Sequence, residues 1–446
     1  MLKNKLDKYL DQNYYPFHMP GSKRSKLLDQ RLAYRRDLTE IIGFDNLNDP
    51  KDIFVKMQDK LAKIYQVKKT LLTTNGSTSG ILSAIRAMTY ENKNIIIQRS
   101  CHKAVYNACE LNSLKVDYIG VDLDQVNAIK AINLKSLENK FIKTSYAALV
   151  VTSPSYEGYN LDIEKIYELC KKYQVKLIVD MAHGSHLPLA GSYKPTFDLA
   201  ITSFHKNLSA LTPAAGILIN DLGLYEEVKR NMAIFQSSSP SYLILQSIDE
   251  MIEKFDTFPK LYKKLEESLD RVYEEKFANL DLIDDKNKDR SKIMISVEKS
   301  DISGFDLQQM LYDRKIEIEM AYPDYALLIS TIFDSKHGFE RLIRALKEID
   351  KSIAKNDRDN KSFKFANYLP NKNLELYETI NRSKKFIDIR NSEGEISADF
   401  IYAYPPGIPI LVPGELIDKE IINIITFLND SKVNLNIDGN LIRIVD

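Results

Sequence analysis

The sequence has few cysteines, no net charge and no long apolar run. Its three cysteines, Cys101, Cys109 and Cys170, are too few for a secreted disulfide scaffold and lack the paired spacing of a zinc site. Lysine plus arginine and aspartate plus glutamate both number 62, so no excess positive charge is available to bind a nucleic-acid backbone or an anionic membrane. No apolar run approaches the roughly 20 residues that span a bilayer, and the charged, helix-like residues 1–10 differ from a signal peptide. We therefore expect a cytoplasmic protein that binds neither nucleic acid nor membrane and acts on a small molecule.

From about Thr70 onward, short apolar runs alternate with amphipathic helical patterns. Apolar runs predict strands at 94–98, 116–119, 147–151, 175–179, 199–202 and 217–219. A helix is predicted between two of these strands, because Ile163, Ile166 and Cys170 recur at helical spacing after Asp162, a residue type preferred as an N-cap. The order predicts an α/β fold with a mostly parallel central sheet flanked by helices, and ligands bind such sheets at the carboxyl ends of the strands.

The regions on either side of these strands have different patterns. We predict an N-terminal arm with helices at 1–65, a large domain at 66–288 and a smaller C-terminal α+β domain at 289–446. Within the last domain, residues 404–415 contain four prolines, which exclude a central strand and predict a rigid, irregular course. This segment and residues 17–24 carry apolar side chains without a periodic face, so we expect them to wrap onto a second subunit of a homodimer.

A lysine follows the strand predicted at 199–202. At the mouth of an open sheet, Lys206 can form a Schiff base with pyridoxal phosphate. The hydroxyl of Ser203 and the imidazole of His205 can contact the phosphate of such a cofactor. A solvated surface lysine would give the same local pattern.

An aspartate ends the preceding strand, 26 residues before the lysine. Asp180 can pair with the protonated pyridine nitrogen of pyridoxal phosphate and so preserve the ring as an electron sink. A loop carboxylate that caps the next element is the alternative interpretation.

A glycine-containing turn leads from a predicted strand into the helical run 81–88. Such a turn presents free backbone N–H groups and the positive end of the helix dipole, and Ser77 and Thr78 add hydroxyl donors for a phosphate. Alternatively, these residues could serve as helix caps without binding a phosphate. Residues 76–80 match the Gly-x-Ser-x-Gly pattern of serine hydrolases in part, but the nucleophile position holds Thr78, so that match fails.

A histidine follows the strand predicted at 94–98. The imidazole of His102 can stack on an aromatic cofactor, although a lone histidine can equally be structural. Cys101 is an unsuitable partner for it, because adjacent side chains at a strand end point apart. Asp180, His183 and His186 could form a metal site, but the lysine and the phosphate loop explain this region better.

Eight collinear segments together resemble the ornithine/lysine/arginine decarboxylase family. They are Phe17-His18-Met19-Pro20-Gly21-Ser22-Lys23-Arg24, Asn75-Gly76-Ser77-Thr78, Cys101-His102-Lys103, Thr152-Ser153-Pro154-Ser155-Tyr156-Glu157-Gly158, Asp180-Met181-Ala182-His183-Gly184, Ser203-Phe204-His205-Lys206, Ser239-Pro240-Ser241-Tyr242, and Tyr404-Pro405-Pro406-Gly407 with Pro413-Gly414-Glu415. The resemblance covers nearly the whole chain in order.

The resemblance implies a pyridoxal-phosphate enzyme of fold type I, the aspartate-aminotransferase-like fold, that works as a dimer with shared active sites. It implies Lys206 as the Schiff-base lysine, Asp180 as the partner of the pyridine nitrogen and His102 as the residue that stacks on the ring. The phosphate would be held by Ser77, Thr78, Ser203 and His205, and His183 would lie near the cofactor. We expect a short member of the family, without the N-terminal wing domain of the long forms.

Two positions depart from the family pattern, where Ser22 replaces a histidine and Met181 replaces a glutamate. The expected reaction is decarboxylation of lysine, arginine or ornithine to its amine. The alternatives are an aminotransferase, whose substrate carboxylate Arg443 could clamp, a lyase acting on another amino acid, and a catalytically silent pyridoxal-phosphate-binding paralogue. The distal charge of a basic substrate needs a carboxylate, for which the candidates are Glu157, Glu317, Glu319 and Glu415.

Overall fold

A computed structural model describes residues 1–12, 31–124, 128–191, 193–355, 368–403, 407–431 and 433–446. The arm segment at 17–24, including Ser22, and residues 404–406 of the proline-rich segment lie outside the described residues. Predictions that fall on these residues therefore have no structural counterpart here.

The described residues form helices and strands that alternate along much of the chain. The helices are α1 (Leu2–Asp11), α2 (Ile53–Ile64), α3 (Gly76–Met88), α4 (Lys103–Leu111), α5 (Leu134–Lys143), α6 (Ile163–Lys172), α7 (Phe204–Asn207), α8 (Tyr225–Phe235), α9 (Tyr242–Lys254), α10 (Phe258–Glu274), α11 (Gly304–Asp313), α12 (Lys336–Ser352) and α13 (Lys419–Asp430). The strands are β1 (Lys69–Thr73), β2 (Asn94–Gln98), β3 (Lys115–Ile119), β4 (Val121–Leu123), β5 (Ile129–Ile132), β6 (Ala148–Thr152), β7 (Lys176–Asp180), β8 (Leu199–Ser203), β9 (Ala215–Ile219), β10 (Asp281–Leu282), β11 (Lys292–Ser296), β12 (Met320–Tyr322), β13 (Tyr325–Ile329), β14 (Lys384–Asp388), β15 (Ile401–Ala403), β16 (Ile408–Leu411) and β17 (Leu441–Val445).

The chain divides into two compact units. Unit 1 comprises residues 1–88 and 178–262, and unit 2 comprises residues 89–177 and 263–446. The predicted domain boundaries at 65/66 and 288/289 stay a prediction.

Unit 1 is built on the neighbouring strands β1, β9, β8 and β7. β7 and β8 run parallel, whereas β9 is antiparallel to both β1 and β8. Helix α3 covers this sheet so closely that a Cβ on Gly80 would lie 3.0 Å from the Ile201 side chain. A larger residue at position 80 would therefore force the Ile201 side chain to move.

The described start of the chain also belongs to unit 1. Leu2, Leu6 and Leu10 recur at helical spacing and are buried on one face of α1, which packs against α9. The Met1 ammonium donates a hydrogen bond to the buried Asp249 of α9 at 2.8 Å. The first helix is thus fixed to unit 1 by apolar contact and by charge.

Unit 2 contains a parallel group of strands and several antiparallel sheets. β6, β2 and β3 are parallel neighbours, and β10, β11, β13 and β12 form a four-stranded antiparallel sheet. The proline-rich segment is less irregular than expected, because β16 pairs with β15 in a two-stranded sheet. Pro409 is tolerated there because a two-stranded sheet leaves half of its N–H groups unpaired.

The predicted fold class is confirmed by these elements. The predicted parallel strands are present to within one or two residues, helices flank them, and a smaller α+β region follows with antiparallel sheets. The sequence pattern of β9 gave no sign that it runs antiparallel, because apolar runs do not encode strand direction.

Candidate active site

Lys206 lies in the short helix α7, which begins directly after β8. Its Nζ lies 2.8 Å from Nε2 of His183, which is 7% exposed. Since β7 and β8 are parallel neighbours, the segments that follow them meet at one edge of the sheet. The structure therefore brings together two residues that the sequence placed on separate strand ends.

Asp180 is the last residue of β7 and pairs in register with Ile201 of β8. Its side chain is 3% exposed, and Oδ1 accepts a hydrogen bond from the Ala182 N–H at 3.1 Å. The carboxylate has no ion-pair partner among the residues that the structure describes. A buried carboxylate without a cation is costly, so a cationic ligand group at this position would stabilise it.

The turn before α3 forms as the sequence predicted. Gly76 has a φ of +73°, a backbone conformation that favours glycine. Thr73 Oγ1 accepts a hydrogen bond from the Asn75 N–H at 3.0 Å and so closes the turn. Ser77 is half-buried and Thr78 exposed in the first turn of α3, where helix N–H groups lack backbone partners.

Ser203 and His205 flank the start of α7 and differ in their surroundings. The Ser203 hydroxyl is fully buried and has no hydrogen-bond partner within the described part of the chain. His205 Nδ1 lies 2.9 Å from the Ala214 carbonyl. Burial lowers the pKa of His205, and the nearby Lys206 lowers it further, against the effect of the Ala214 carbonyl. The imidazole is therefore neutral at pH 7 and can donate one N–H.

His102 and Cys101 belong to unit 2. His102 is exposed and is the N-cap of α4, where its Nδ1 accepts a hydrogen bond from the Ala104 N–H at 3.1 Å. Cys101 is completely buried, and its Sγ lies 3.7 Å from the Val150 carbonyl. The two side chains therefore point into different surroundings, which agrees with the expectation that Cys101 is not a nucleophile.

The four carboxylates considered for the distal charge differ in accessibility. Glu317 and Glu319 are exposed, and Glu319 accepts a hydrogen bond from Tyr156. Glu157 is 5% exposed and accepts hydrogen bonds from Ser155 and Tyr325; burial raises its pKa, against the effect of its hydrogen bonds. Glu415 is completely buried and already has a cationic partner.

The cationic partner of Glu415 is Arg99 of unit 2, which the sequence analysis did not identify. Arg99 Nη2 lies 3.1 Å from Glu415 Oε2, and the two side chains are 3% and 0% exposed. Burial raises the pKa of the Glu415 carboxyl to about 7, although Arg99 and the Val412 N–H lower it. Burial lowers the pKa of Arg99, but Glu415, Tyr106 and Tyr118 together outweigh it and raise the pKa, so Arg99 stays charged. No local signal predicts a pair whose members are 316 residues apart.

The described residues contain no group of three or more His, Cys, Asp and Glu side chains that could hold a metal ion. Within the same residues, no helix is long and apolar enough to cross a membrane.

Solved structures of amino-acid decarboxylases have a similar fold. The Francisella novicida lysine decarboxylase matches with a TM-score of 0.83 and 18% identity, over 100% of this chain and 81% of that one. The Escherichia coli constitutive lysine decarboxylase matches with a TM-score of 0.82 and 16% identity, over 100% and 82%. These likenesses establish the fold.

The sequence comparisons define the family. The model described as "Orn/Lys/Arg decarboxylase, major domain" matches residues 2–328, and the model of the C-terminal domain matches residues 363–435. The chain therefore belongs to the Orn/Lys/Arg decarboxylase family, which confirms the predicted resemblance and the predicted enzyme class, an amino-acid decarboxylase. An arginine decarboxylase of Bacillus subtilis (strain 168) is 27% identical over 98% of this chain and 93% of its own length. An arginine decarboxylase of Bacillus anthracis is 26% identical over 92% and 89%.

Proposed function

We propose that this chain is a pyridoxal-phosphate-dependent enzyme that removes the α-carboxylate of a basic amino acid, with arginine and lysine as the first substrates to test. Family membership supports the reaction class, and the names of the relatives support these two substrates. The observation that carries the proposal is the 2.8 Å contact between Lys206 Nζ and His183 Nε2, at the strand end next to that of Asp180.

The residues of unit 1 fit the proposed cofactor. The buried Ser203 hydroxyl, which has no partner among the described residues, and the N-terminal turn of α3 are suited to a phosphate. The buried carboxylate of Asp180 is suited to a protonated ring nitrogen. Lys206 would hold the cofactor covalently. When bound, pyridoxal phosphate supplies an electron sink for the pair of electrons that the departing carbon dioxide leaves behind.

The protein's own groups would hold protons and orient the substrate. One proton can lie between Lys206 Nζ and His183 Nε2, and Asp180, as an anion, would keep a proton on the ring nitrogen. His102, which the family resemblance assigns to the ring, would stack on the cofactor through its exposed imidazole. Selection of decarboxylation needs the substrate carboxylate perpendicular to the ring and shielded from water.

The aminotransferase alternative has less support from unit 2. Arg443, which we considered as a clamp for the substrate carboxylate, already pairs with Asp399 at 2.5 Å. A substrate carboxylate bound in the ring plane by Arg443 would have to share the guanidinium with Asp399.

The experiment is a panel of single amino acids incubated with purified protein and pyridoxal phosphate, in which carbon dioxide, amine and keto acid are measured. Release of carbon dioxide and amine in equal amounts from arginine or lysine supports the proposal. Keto-acid formation would instead indicate the aminotransferase. Cofactor binding without turnover of any amino acid would indicate a silent paralogue.

We also propose that the active form is a homodimer, in line with the family resemblance. Sedimentation equilibrium of the holoenzyme should give twice the 51.2 kDa mass of the chain. A fully active monomer would contradict this part of the proposal.

A further inference from the structure

The proline-rich segment of unit 2 supplies three acceptors to one buried arginine. Arg99, directly after β2, donates from Nη1 to the Pro409 carbonyl at 2.8 Å and from Nη2 to the Ile410 carbonyl at 3.0 Å. Nη2 also lies 3.1 Å from Glu415 Oε2. One guanidinium thus fixes both the strand β16 and the turn that follows it.

That turn is shaped to aim the carboxylate of Glu415. Gly414 has a φ of +93°, and a Cβ on it would lie 2.3 Å from the Leu374 carbonyl oxygen, so only glycine fits. The Val412 N–H donates to Glu415 Oε2 at 2.8 Å. The Pro413-Gly414-Glu415 motif is therefore explained by the orientation of one side chain toward Arg99.

The other side of Arg99 is tied to α4, the helix that His102 caps. Tyr106 of α4 donates its hydroxyl to the Arg99 carbonyl at 2.5 Å and accepts from Arg99 Nη1 at 2.9 Å. The Cys101 N–H donates to the Gln98 carbonyl at 2.9 Å and closes the turn between β2 and α4. Arg99 is three residues before His102. It follows β2 directly and is hydrogen-bonded to Tyr106 of α4, so it connects both ends of the turn that carries His102.

We propose that Arg99 and Glu415 form a clamp that sets the position of His102, so that Glu415 is a positioning residue for the ring-stacking histidine. The link to the cofactor rests on the proposed function, whereas the link between the clamp and His102 does not. Stability alone is a weak explanation for the pair, because apolar side chains of similar volume often stabilise a core at least as well as a buried ion pair. Apolar side chains cannot, however, hold the carbonyls of Pro409 and Ile410.

The first measurement is the ring resonance of His102 in histidine-labelled protein without cofactor at pH 8, where Glu415 is ionised. The chain has six histidines, and His102→Gln assigns the resonance. We expect Glu415→Gln to shift or split it. Leu428→Ala, which removes a fully buried side chain from the C-terminal core, is the control for lost stability and should leave it unchanged.

A second variant separates an effect on the position of His102 from an effect on the stability of the protein. Arg99→Met/Glu415→Leu removes the unpaired charge and should recover part of the stability that Arg99→Met loses, but it should not restore the wild-type His102 resonance. An unchanged resonance in both Glu415→Gln and the double variant would overturn the clamp.

The third measurement is the dissociation constant of pyridoxal phosphate in a double-mutant cycle. Glu415→Gln should weaken binding about tenfold in the wild type and not further in His102→Ala, because the effect passes through His102. Equal weakening in both backgrounds would overturn the positioning role. If the wild type binds no pyridoxal phosphate while the His102 resonance responds to the clamp variants, the proposed function fails and the clamp stands.

Discussion

The surroundings of Lys206 in unit 1 and of Arg99 in unit 2 show two uses of a cation near a strand end. Lys206 is partly exposed, and the Ser203 hydroxyl nearby in sequence has no partner among the described residues. Arg99 is 3% exposed and donates to a carboxylate, two carbonyls and a tyrosine of its own unit. The first arrangement leaves the cation accessible to a ligand, whereas the second uses both terminal nitrogens of the guanidinium to hold the chain, although Arg99 Nε and Glu415 Oε1 have no partner among the described residues. A cation at a strand end is therefore a candidate functional group when it is accessible, as Lys206 is, and a structural one when it is buried among acceptors of its own unit, as Arg99 is.

The largest expected effect is the loss of Lys206. Lys206→Arg keeps the charge but cannot bind the cofactor covalently, so the visible absorption of the holoenzyme should disappear and carbon dioxide release should fall about 10,000-fold. Lys60→Arg, in the exposed face of α2, is the matched control. If the Lys206→Arg protein kept the absorption band, Lys206 would not be the residue that binds the cofactor covalently, and its assumed difference from the structural cation Arg99 would be wrong.

The loss of Arg99 should lower the stability of the protein, whereas the loss of Lys206 should lower its activity. Arg99→Met leaves the Glu415 carboxylate buried without a cation, and we expect it to lower the free energy of unfolding at pH 8 by about 3–5 kcal/mol. Arg99→Met/Glu415→Leu should recover the part of this loss that the unpaired charge causes, but not the part that the unpaired carbonyls of Pro409 and Ile410 cause. Urea unfolding followed by circular dichroism measures both values, and a double variant as unstable as the single one would show that the loss comes from the hydrogen bonds to the carbonyls and not from the unpaired charge.

The strand ends that carry Asp180 and Lys206 and the turn before α3 were predicted because each is a local pattern, whereas the roles of these residues stay a prediction. An apolar run followed by Asp180, a second run followed by Lys206, and a Gly-Ser-Thr turn into a helix all lie within a few residues of a predicted strand end. Parallel pairing then brings these strand ends together, as is general for α/β sheets. The direct contact between His183 and Lys206 depends on side-chain conformations and could not be predicted.

The clamp could not be predicted, because it depends on residues far apart in sequence and not on a local pattern. Glu415 was one of four carboxylates that could not be ranked, since its distinction lies in burial and in a partner far away in sequence. The antiparallel direction of β9 escaped prediction too, because strand direction follows from pairing and not from composition. Residues 404–406 and Ser22 lie outside the described residues, so their predictions are unchanged.

A smaller effect should separate catalysis from cofactor retention at Asp180. Asp180→Asn can still accept the hydrogen bond from the Ala182 N–H but cannot neutralise a protonated ring nitrogen. We expect turnover to fall about 100-fold, or about 2.7 kcal/mol, with little loss of bound cofactor measured by absorbance. Asp221→Asn is the matched control, because Asp221 follows β9 and accepts a hydrogen bond from the Gly223 N–H in the same way, at 3.0 Å. Unchanged turnover in Asp180→Asn would refute the role assigned to this carboxylate.

The smallest effect concerns the pH dependence of the apoprotein. The pKa of His205 is lowered from 6.5 by burial and by Lys206, so below pH 6.5 the unfolded chain binds a proton more readily than the folded one. The stability that the neutral imidazole contributes is therefore present above pH 6.5 and is lost as the pH falls through the folded-state pKa. Between pH 7.5 and 5.5, urea unfolding should show a smaller decrease in stability for His205→Asn than for the wild type. Equal decreases would mean that His205 is as easily protonated in the folded state as in the unfolded one.

The separation of Arg99 from Glu415 has a consequence for synthesis of the chain. A ribosome that adds roughly 5–20 residues per second needs about 15 to 60 seconds for the 316 residues between them. During that interval the guanidinium of a nascent chain has no carboxylate to pair with and must stay hydrated, which keeps water at the end of β2. We expect unit 2 to close late in translation, and nascent chains stalled before residue 415 to be more readily cut by protease around β2 than around β1.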